Sequence, residues 1–228
     1  MFTTVLCDLD GTLVDSSQDI TLAFRYALKQ TCPGNLPSLL NIAQHIGKPL
    51  AQMAIELGYR LSPSQLARFL DTYRAYYNLH GVRNTRTYPG VVETLHRLTS
   101  TTFGVVTTKS PPHAQAALRV LNMACFFRHV QGTTPDLMPK PAPDTVLAAL
   151  QALQCDPQKT LMVGDTSADI EAGRAAGIRT CAVTYGFGSR QELRSAGPDY
   201  WISCFTELTK IIGRKSPNFS SNEWNLPV

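Results

Sequence analysis

Residues 3–9 (TTVLCDL) form the first run in which apolar side chains dominate, and they read as a buried strand. From Ser16 the period changes. Ile20, Phe24, Ala27 and Leu28 recur at the spacing of one helical face, and Ser16 with Asp19 has the form of a capping box at its start. Leu39, Ile42 and Ile46 suit a second helix. Leu50, Met53 and Leu57 suit a third, stopped at Gly58. Ser62-Pro63-Ser64-Gln65 is a strong helix start, because proline fits a first turn where no N–H is needed. Leu66, Phe69, Leu70, Tyr73 and Tyr77 then share one face. No strand pattern arises between residues 16 and 85, so this stretch is expected to be all-helical.

Pro89-Gly90 punctuates the chain, and short apolar runs then alternate with helical patterns. Strands are expected at 103–108 (FGVVTT), 129–133 (HVQGT), 160–165 (TLMVGD), 179–185 (RTCAVTY) and 199–203 (DYWIS). Helices are expected at 112–122, at 143–153 and at 168–176, the last stopped by Gly177. This alternation predicts an α/β fold, a parallel sheet with helices on both faces. Its two pieces, 1–15 and 86–213, flank the helical insert 16–85. Residues 214–228 are polar and aperiodic and are expected to be loosely held.

With 228 residues and 43% hydrophobic content, the chain can bury a sizeable core. The formal charge of +4 suits an anionic substrate. No Lys/Arg block is present to track a nucleic-acid backbone, so no nucleic-acid partner is expected. The six cysteines form no CxxC pair and are expected to be buried, reduced thiols. Neither a signal-peptide pattern nor a membrane-length apolar run occurs, so a cytoplasmic protein without a membrane partner is expected.

The chemistry sits at the tips of the apolar runs. In CDLDGT, Asp8 and Asp10 point to the same side of an extended chain while Leu9 points into the core. In a parallel α/β sheet that tip faces the ligand crevice. Two adjacent buried carboxylates repel unless a cation or a reaction uses them. Gly11 permits a close turn and Thr12 offers a hydroxyl. A helix-loop-helix calcium loop does not fit, because its sixth and twelfth positions would be Leu13 and Asp19 instead of glycine and glutamate. VGDTSAD repeats the logic with Asp165 and Asp169, although Asp169 also fits an ordinary first-turn acid. VVTTKS sets Thr107 and Thr108 at another tip, where hydroxyls and free N–H groups suit a phosphate or simply cap a helix. MPKPAPD holds Lys140 between rigid prolines.

Taken in order, DxDGT at 8–12, Thr107, Lys140 and GDxxxD at 164–169 resemble the haloacid dehalogenase superfamily of phosphohydrolases, up to about residue 212. The resemblance implies a Rossmann-like core and makes the helical insert its cap. DLDGTLVDS, YPGV, VVTTKS and KPAPD look most like the phosphoglycolate phosphatase-like group. It further implies Asp8 as nucleophile, forming an aspartyl-phosphate, and Asp10 as general acid and base. Mg²⁺ would be held by Asp8, the Asp10 main-chain carbonyl and Asp165. Thr107, Thr108 and Lys140 would hold the phosphoryl oxygens, with Thr12 supporting. Asp169 would lie near the metal's waters or orient Lys140. Asp10 points to phosphate esters, since relatives that cleave carbon–halogen or phosphonate bonds lack that acid. In the insert, HIGKPL resembles the loop over the site: Gly47 would permit close approach and Lys48 would read a second anionic group. His45, Arg83 and His113 are weaker candidates. Hinges are expected near 15–17 and 86–89. The expected partner is a small phosphorylated metabolite, 2-phosphoglycolate first. A phosphosugar mutase, a pyrophosphatase and a nucleotidase are the alternatives, and the protein is expected to be a monomer or homodimer. A non-catalytic module is disfavoured because every motif is retained.

Overall fold

A computed structural model describes residues 1–213. Its first strand, β1 (Thr4–Cys7), is buried throughout. Val5 and Cys7 join one apolar cluster while Leu6 joins another, so alternate residues serve opposite faces of the sheet. The remaining strands of this sheet are β4 (Thr102–Val106), β5 (Phe127–Gln131), β6 (Thr160–Gly164), β7 (Arg179–Val183) and β8 (Tyr200–Ile202). They lie in the order β5-β4-β1-β6-β7-β8, every pairing parallel. The chain therefore builds outward from β1 on one side and then on the other, which makes β1 the switch point where a ligand crevice opens. The connections carry α6 (Pro111–Val120), α7 (Asp144–Leu153) and α8 (Ser167–Ala175), close to the periodicity's expectation. Three short helices have no counterpart in it: α5 (Val91–Arg97), α9 (Arg190–Ala196) and α10 (Leu208–Ile212).

Between β1 and β4 the chain forms α1 (Ser17–Thr31), α2 (Leu39–Ala43), α3 (Leu50–Glu56) and α4 (Pro63–His80). These helices close over a core of their own, with Phe24, Leu28, Ile42, Met53 and Phe69 buried together. Phe24 and Phe69 meet edge to face at 5.0 Å. At the start of α4, Ser62 and Gln65 form the expected capping box.

The capping box expected at Ser16 and Asp19 does not form. Ser16 makes no side-chain cap and instead donates its hydroxyl to Asp10 Oδ1. Asp19 accepts the backbone N–H groups of Asn84 and Thr85, at 3.0 and 2.8 Å, together with their side chains. Long-range partners outcompete the local cap, and Asp19 thereby fastens the first helix to the returning chain. Beside this tie, β2 (Val14–Asp15) pairs antiparallel with β3 (Arg86–Thr87), so the outgoing and returning segments form a two-strand ribbon. The segments 15–17 and 86–89, expected to be hinges, lie at this ribbon.

All six cysteines are free thiols, but only Cys7 and Cys181 are buried, and Cys125 is exposed. The expectation of uniformly buried thiols is corrected on this point. Cys125 lies in the short turn before β5, which the hydrophobic pattern does not place. Among the described residues, no helix is long and apolar enough to cross a membrane. The tail expected to be loosely held, 214–228, lies outside the described residues.

Candidate active site

Three central strands end side by side. Asp8 follows β1, Thr107 follows β4 and Asp165 follows β6. The Asp8 N–H still bonds to Val163 O at 2.8 Å, so the strand fixes that residue's backbone. The chain then turns tightly, with Gly11 at φ +96°. A Cβ on Gly11 would lie 2.2 Å from Asp165 Oδ2, so only glycine lets the β1 loop approach the β6 tip this closely.

Lys140, carried in from the loop before α7, is the buried cation of the group. Its Nζ donates to Asp8 Oδ1 at 2.7 Å, to Val106 O at 2.9 Å and to Asp169 Oδ1. Asp169 has a second task. Its Oδ2 accepts from the N–H and hydroxyl of Thr166 at 3.0 and 2.7 Å, which caps α8 and aims Oδ1 at Lys140. Both readings of Asp169, helix-cap acid and partner of Lys140, thus hold at once. Asp165 accepts from the Thr12 hydroxyl at 2.9 Å and from Phe187 N–H at 2.8 Å.

Charge within this cluster does not balance. Asp8, Asp165 and Asp169 bring carboxylate oxygens within 4.8 Å of one another, with Lys140 as the cation beside them. Burial, reinforced by Asp169 and Asp165, raises the Asp8 carboxyl well above its ordinary value despite Lys140. Burial and Asp169 push Asp165 up to about 7, against its two hydrogen-bond donors. Burial works to lower the Lys140 pKa, but Asp169 and Asp8 outweigh it and hold it above the usual lysine value. Three oxygen-donor side chains short of positive charge suit a hard divalent cation such as Mg²⁺ better than a thiolate-seeking metal.

Asp10 stands outside that carboxylate cluster. Its Oδ1 takes the Ser16 hydroxyl and its Oδ2 lies 3.1 Å from Lys109 Nζ. Its side chain is thus engaged by Ser16 and Lys109, away from the three clustered acids. Asp8, Asp10 and Lys140 face a partly open cavity of about 310 Å³ between the sheet tips and the helical insert. Thr108 is exposed and lines it. Thr107 is buried behind the wall, where its hydroxyl accepts the Lys109 N–H at 3.2 Å. Gly47 and Lys48 line the opposite side. Gly47, at φ +99°, lies against Thr166, whose Cγ2 would be 2.8 Å from an added Cβ. The Lys48 ammonium rests on Glu56 at 2.8 Å, an acid that also receives His45. Chiefly through Lys48, the Glu56 carboxyl is held down at about 2. His113 lines the cavity between Ser110 and Asn78, whereas Arg83 is exposed outside it.

Two features escaped the sequence reading. Lys109 adjoins Thr108 but was hidden in a stretch read for its hydroxyls. The loop 185–188 (YGFG) packs on Asp165 so closely that a Cβ on Gly188 would fall 1.8 Å from the Asp165 carbonyl oxygen. Two glycines around an aromatic just past a strand end are the signal that marks such a loop.

Residues 5–183 match the family of haloacid dehalogenase-like hydrolases. The chain is 32% identical over 215 residues to the pyrophosphatase PpaX of Bacillus velezensis, covering 93% of this chain and 97% of that one. It is 33% identical over 214 residues to the phosphoglycolate phosphatase of Aquifex aeolicus, covering 91% and 95%. A haloacid dehalogenase-like hydrolase from Streptococcus pneumoniae superposes with a TM-score of 0.84 at 32% identity, over 92% of this chain and 98% of that one. With its acids at the tips of adjacent parallel strands and its match along most of their length, the chain belongs to the haloacid dehalogenase-like hydrolase family, among its phosphatases.

Proposed function

We propose that the chain hydrolyses small phosphate monoesters, with 2-phosphoglycolate as its substrate, by passing the phosphoryl group through Asp8. The observation that carries this reading is the unequal treatment of two neighbouring carboxylates on one cavity wall. Asp8 is anchored through Oδ1 by Lys140, and among the described residues no donor is bonded to its Oδ2. Asp10 is held separately, by Ser16 and Lys109. One acid is thus presented for attack and the other is kept beside it for proton transfer.

In the first step an Asp8 oxygen bonds to phosphorus in line with the ester oxygen, whose bond to phosphorus breaks. Asp10 gives that leaving oxygen its proton. In the second step Asp10 takes a proton from water, the water oxygen bonds to phosphorus, and the bond to Asp8 breaks to release phosphate. Lys140 and Thr108 hold the phosphoryl oxygens as charge shifts, with Thr107 bracing the loop behind them. Asp8, the Asp10 carbonyl and Asp165 would hold Mg²⁺, which when bound supplies positive charge to the phosphoryl group and to the acids around it.

The cavity volume sits at the small end for ligand sites, which fits a compact metabolite. Lys48, Arg74 and Lys109 also line it, which fits a substrate with a second anionic group. That lining, with the resemblance to PpaX, supports pyrophosphate as the second reading. The test is inorganic phosphate release with Mg²⁺ across 2-phosphoglycolate, pyrophosphate, hexose phosphates and nucleoside monophosphates. Preference for 2-phosphoglycolate, lost in Asp8→Asn, is the expected result. Preference for pyrophosphate would replace the substrate, and no release from any ester would overturn the reaction.

A further inference from the structure

We propose that Lys109 is the positioning residue for Asp10, and that Tyr77 of the helical insert completes its hold. The inference rests on the reading of Asp10 as proton donor to the leaving oxygen. Lys109 Nζ lies 3.1 Å from Asp10 Oδ2, donates to the Tyr77 hydroxyl at 3.0 Å and sits 4.4 Å from the centre of the Tyr77 ring. The other Asp10 oxygen takes the Ser16 hydroxyl. Both oxygens are therefore held, from two different segments, and the carboxylate keeps one orientation toward the cavity.

The lysine is itself built in. Its side chain is only 9% exposed. Its N–H donates to Thr107 Oγ1, and its carbonyl accepts the Thr133 N–H, each at 3.2 Å. Gly132 keeps that contact open, since a Cβ there would fall 2.4 Å from the Lys109 carbonyl oxygen. A backbone tied on both sides and a nearly buried ammonium fit a fixed strut better than a mobile surface charge. Because Tyr77 belongs to α4 and Asp10 to the loop after β1, the strut is complete only with the insert seated over the core.

A cation that merely binds substrate and a cation that aims the proton donor differ in what they change. Loss of the first weakens every ester alike. Loss of the second penalises esters whose leaving oxygen needs a proton. The value of kcat/KM reports events up to departure of the leaving group, so it isolates the step in question. The experiment compares kcat/KM for ethyl phosphate, an alkyl ester with no second anionic group for Lys109 to bind, with that for p-nitrophenyl phosphate, which also lacks one and whose leaving group departs as a stable anion. The proteins are wild type, Tyr77→Phe, Lys109→Met and Lys109→Arg, with folding checked by circular dichroism. Lys109→Met is expected to lower the alkyl-to-nitrophenyl ratio about tenfold or more. Tyr77→Phe, which keeps the ring and loses one hydrogen bond, should lower it about twofold to threefold. Arg at this position should recover part of the ratio. An equal loss on both esters, or a rise in KM at constant ratio, overturns the assignment and makes Lys109 a substrate or scaffold contact. If Lys109→Met fails to fold, an unchanged ratio in Tyr77→Phe overturns the part assigned to Tyr77, and an unchanged ratio in Lys109→Arg with Asp10 displaced in its crystal structure overturns the rest. A wild type that releases phosphate from neither ester nor from 2-phosphoglycolate refutes the phosphatase reading on which the assignment rests.

Discussion

Replacing Lys140 by methionine removes a charge while leaving most of the side-chain volume. The ammonium it removes has three acceptors, Asp8 Oδ1, Val106 O and Asp169 Oδ1, and the three side chains are 3%, 9% and 1% exposed for Lys140, Asp8 and Asp169. Methionine brings no charge in its place, and the acids left behind are nearly buried. Removing one partner of a buried ion pair costs about 3–5 kcal/mol. Part of that cost is recovered if a carboxyl takes up a proton, and Asp8 is already inclined to do so. Without metal, Lys140→Met is therefore expected to lose about 3 kcal/mol of stability near neutral pH, and less near pH 5, where protonation is easier. Urea unfolding followed by far-ultraviolet circular dichroism, in EDTA, reads this directly. A cycle with Asp169→Asn sharpens it, because the two losses should fall short of additivity by about 1 kcal/mol or more. Turnover should fall at least about a hundredfold in the folded variant, since a charge that stabilises the phosphoryl group is gone. A stability loss under about 1 kcal/mol, or strict additivity with Asp169→Asn, would refute the account of Lys140 as the neutraliser of this cluster.

Three further outcomes follow from the same geometry. Because Asp165 is pushed up to about 7 from an ordinary 3.8, the native protein without metal binds more protons than the unfolded chain between those values. Its stability should therefore fall as pH rises through that window, and Mg²⁺ should flatten the slope; a flat thermal-shift profile in EDTA would contradict this. Asp19→Ala strips the acceptor from Asn84 and Thr85 and should cost about 2–3 kcal/mol, with faster proteolysis near 81–88; an unaltered Tm and cleavage rate would deny the tie. Lys48→Ala is expected to raise KM for an acidic ester more than it lowers kcat, through a cation that leaves Glu56 for substrate, whereas kinetics equal to wild type would assign Lys48 to Glu56 alone.

The acids at the strand tips are legible in the sequence because the signal is local: a short apolar run stops, and a carboxylate or hydroxyl stands at its end. Asp8, Asp10 and Asp165 announce themselves in this way and Lys140 by its flanking prolines, and the structure gathers them around the ends of the central strands. Ser16 and Asp19 mislead for the complementary reason. Their spacing satisfies a local cap, but the partners that win, Asp10 and Asn84-Thr85, are decided by tertiary contact. Tyr77 carries two messages, an apolar ring on the buried face of α4 and a hydroxyl on Lys109, and periodicity reports only the ring. The ribbon of β2 and β3 is two residues per strand, too short for any alternation to show. Phe187 donates its N–H to Asp165 while its ring packs on the helical insert, a double role that only the folded chain displays.

That two-strand ribbon has a consequence for how such proteins diversify. The insert leaves and rejoins the sheet at neighbouring points, with Val14 opposite Thr87 and Asp15 opposite Arg86. Its 16–85 stretch thus behaves as a cassette plugged into a single socket. Changes of length between those points leave the strand order in register, whereas Ser16 and Tyr77, which hold Asp10 directly and through Lys109, have to be kept. Selection can then revise what is admitted to the cavity without re-inventing the reaction, and one catalytic floor can serve beneath many ceilings.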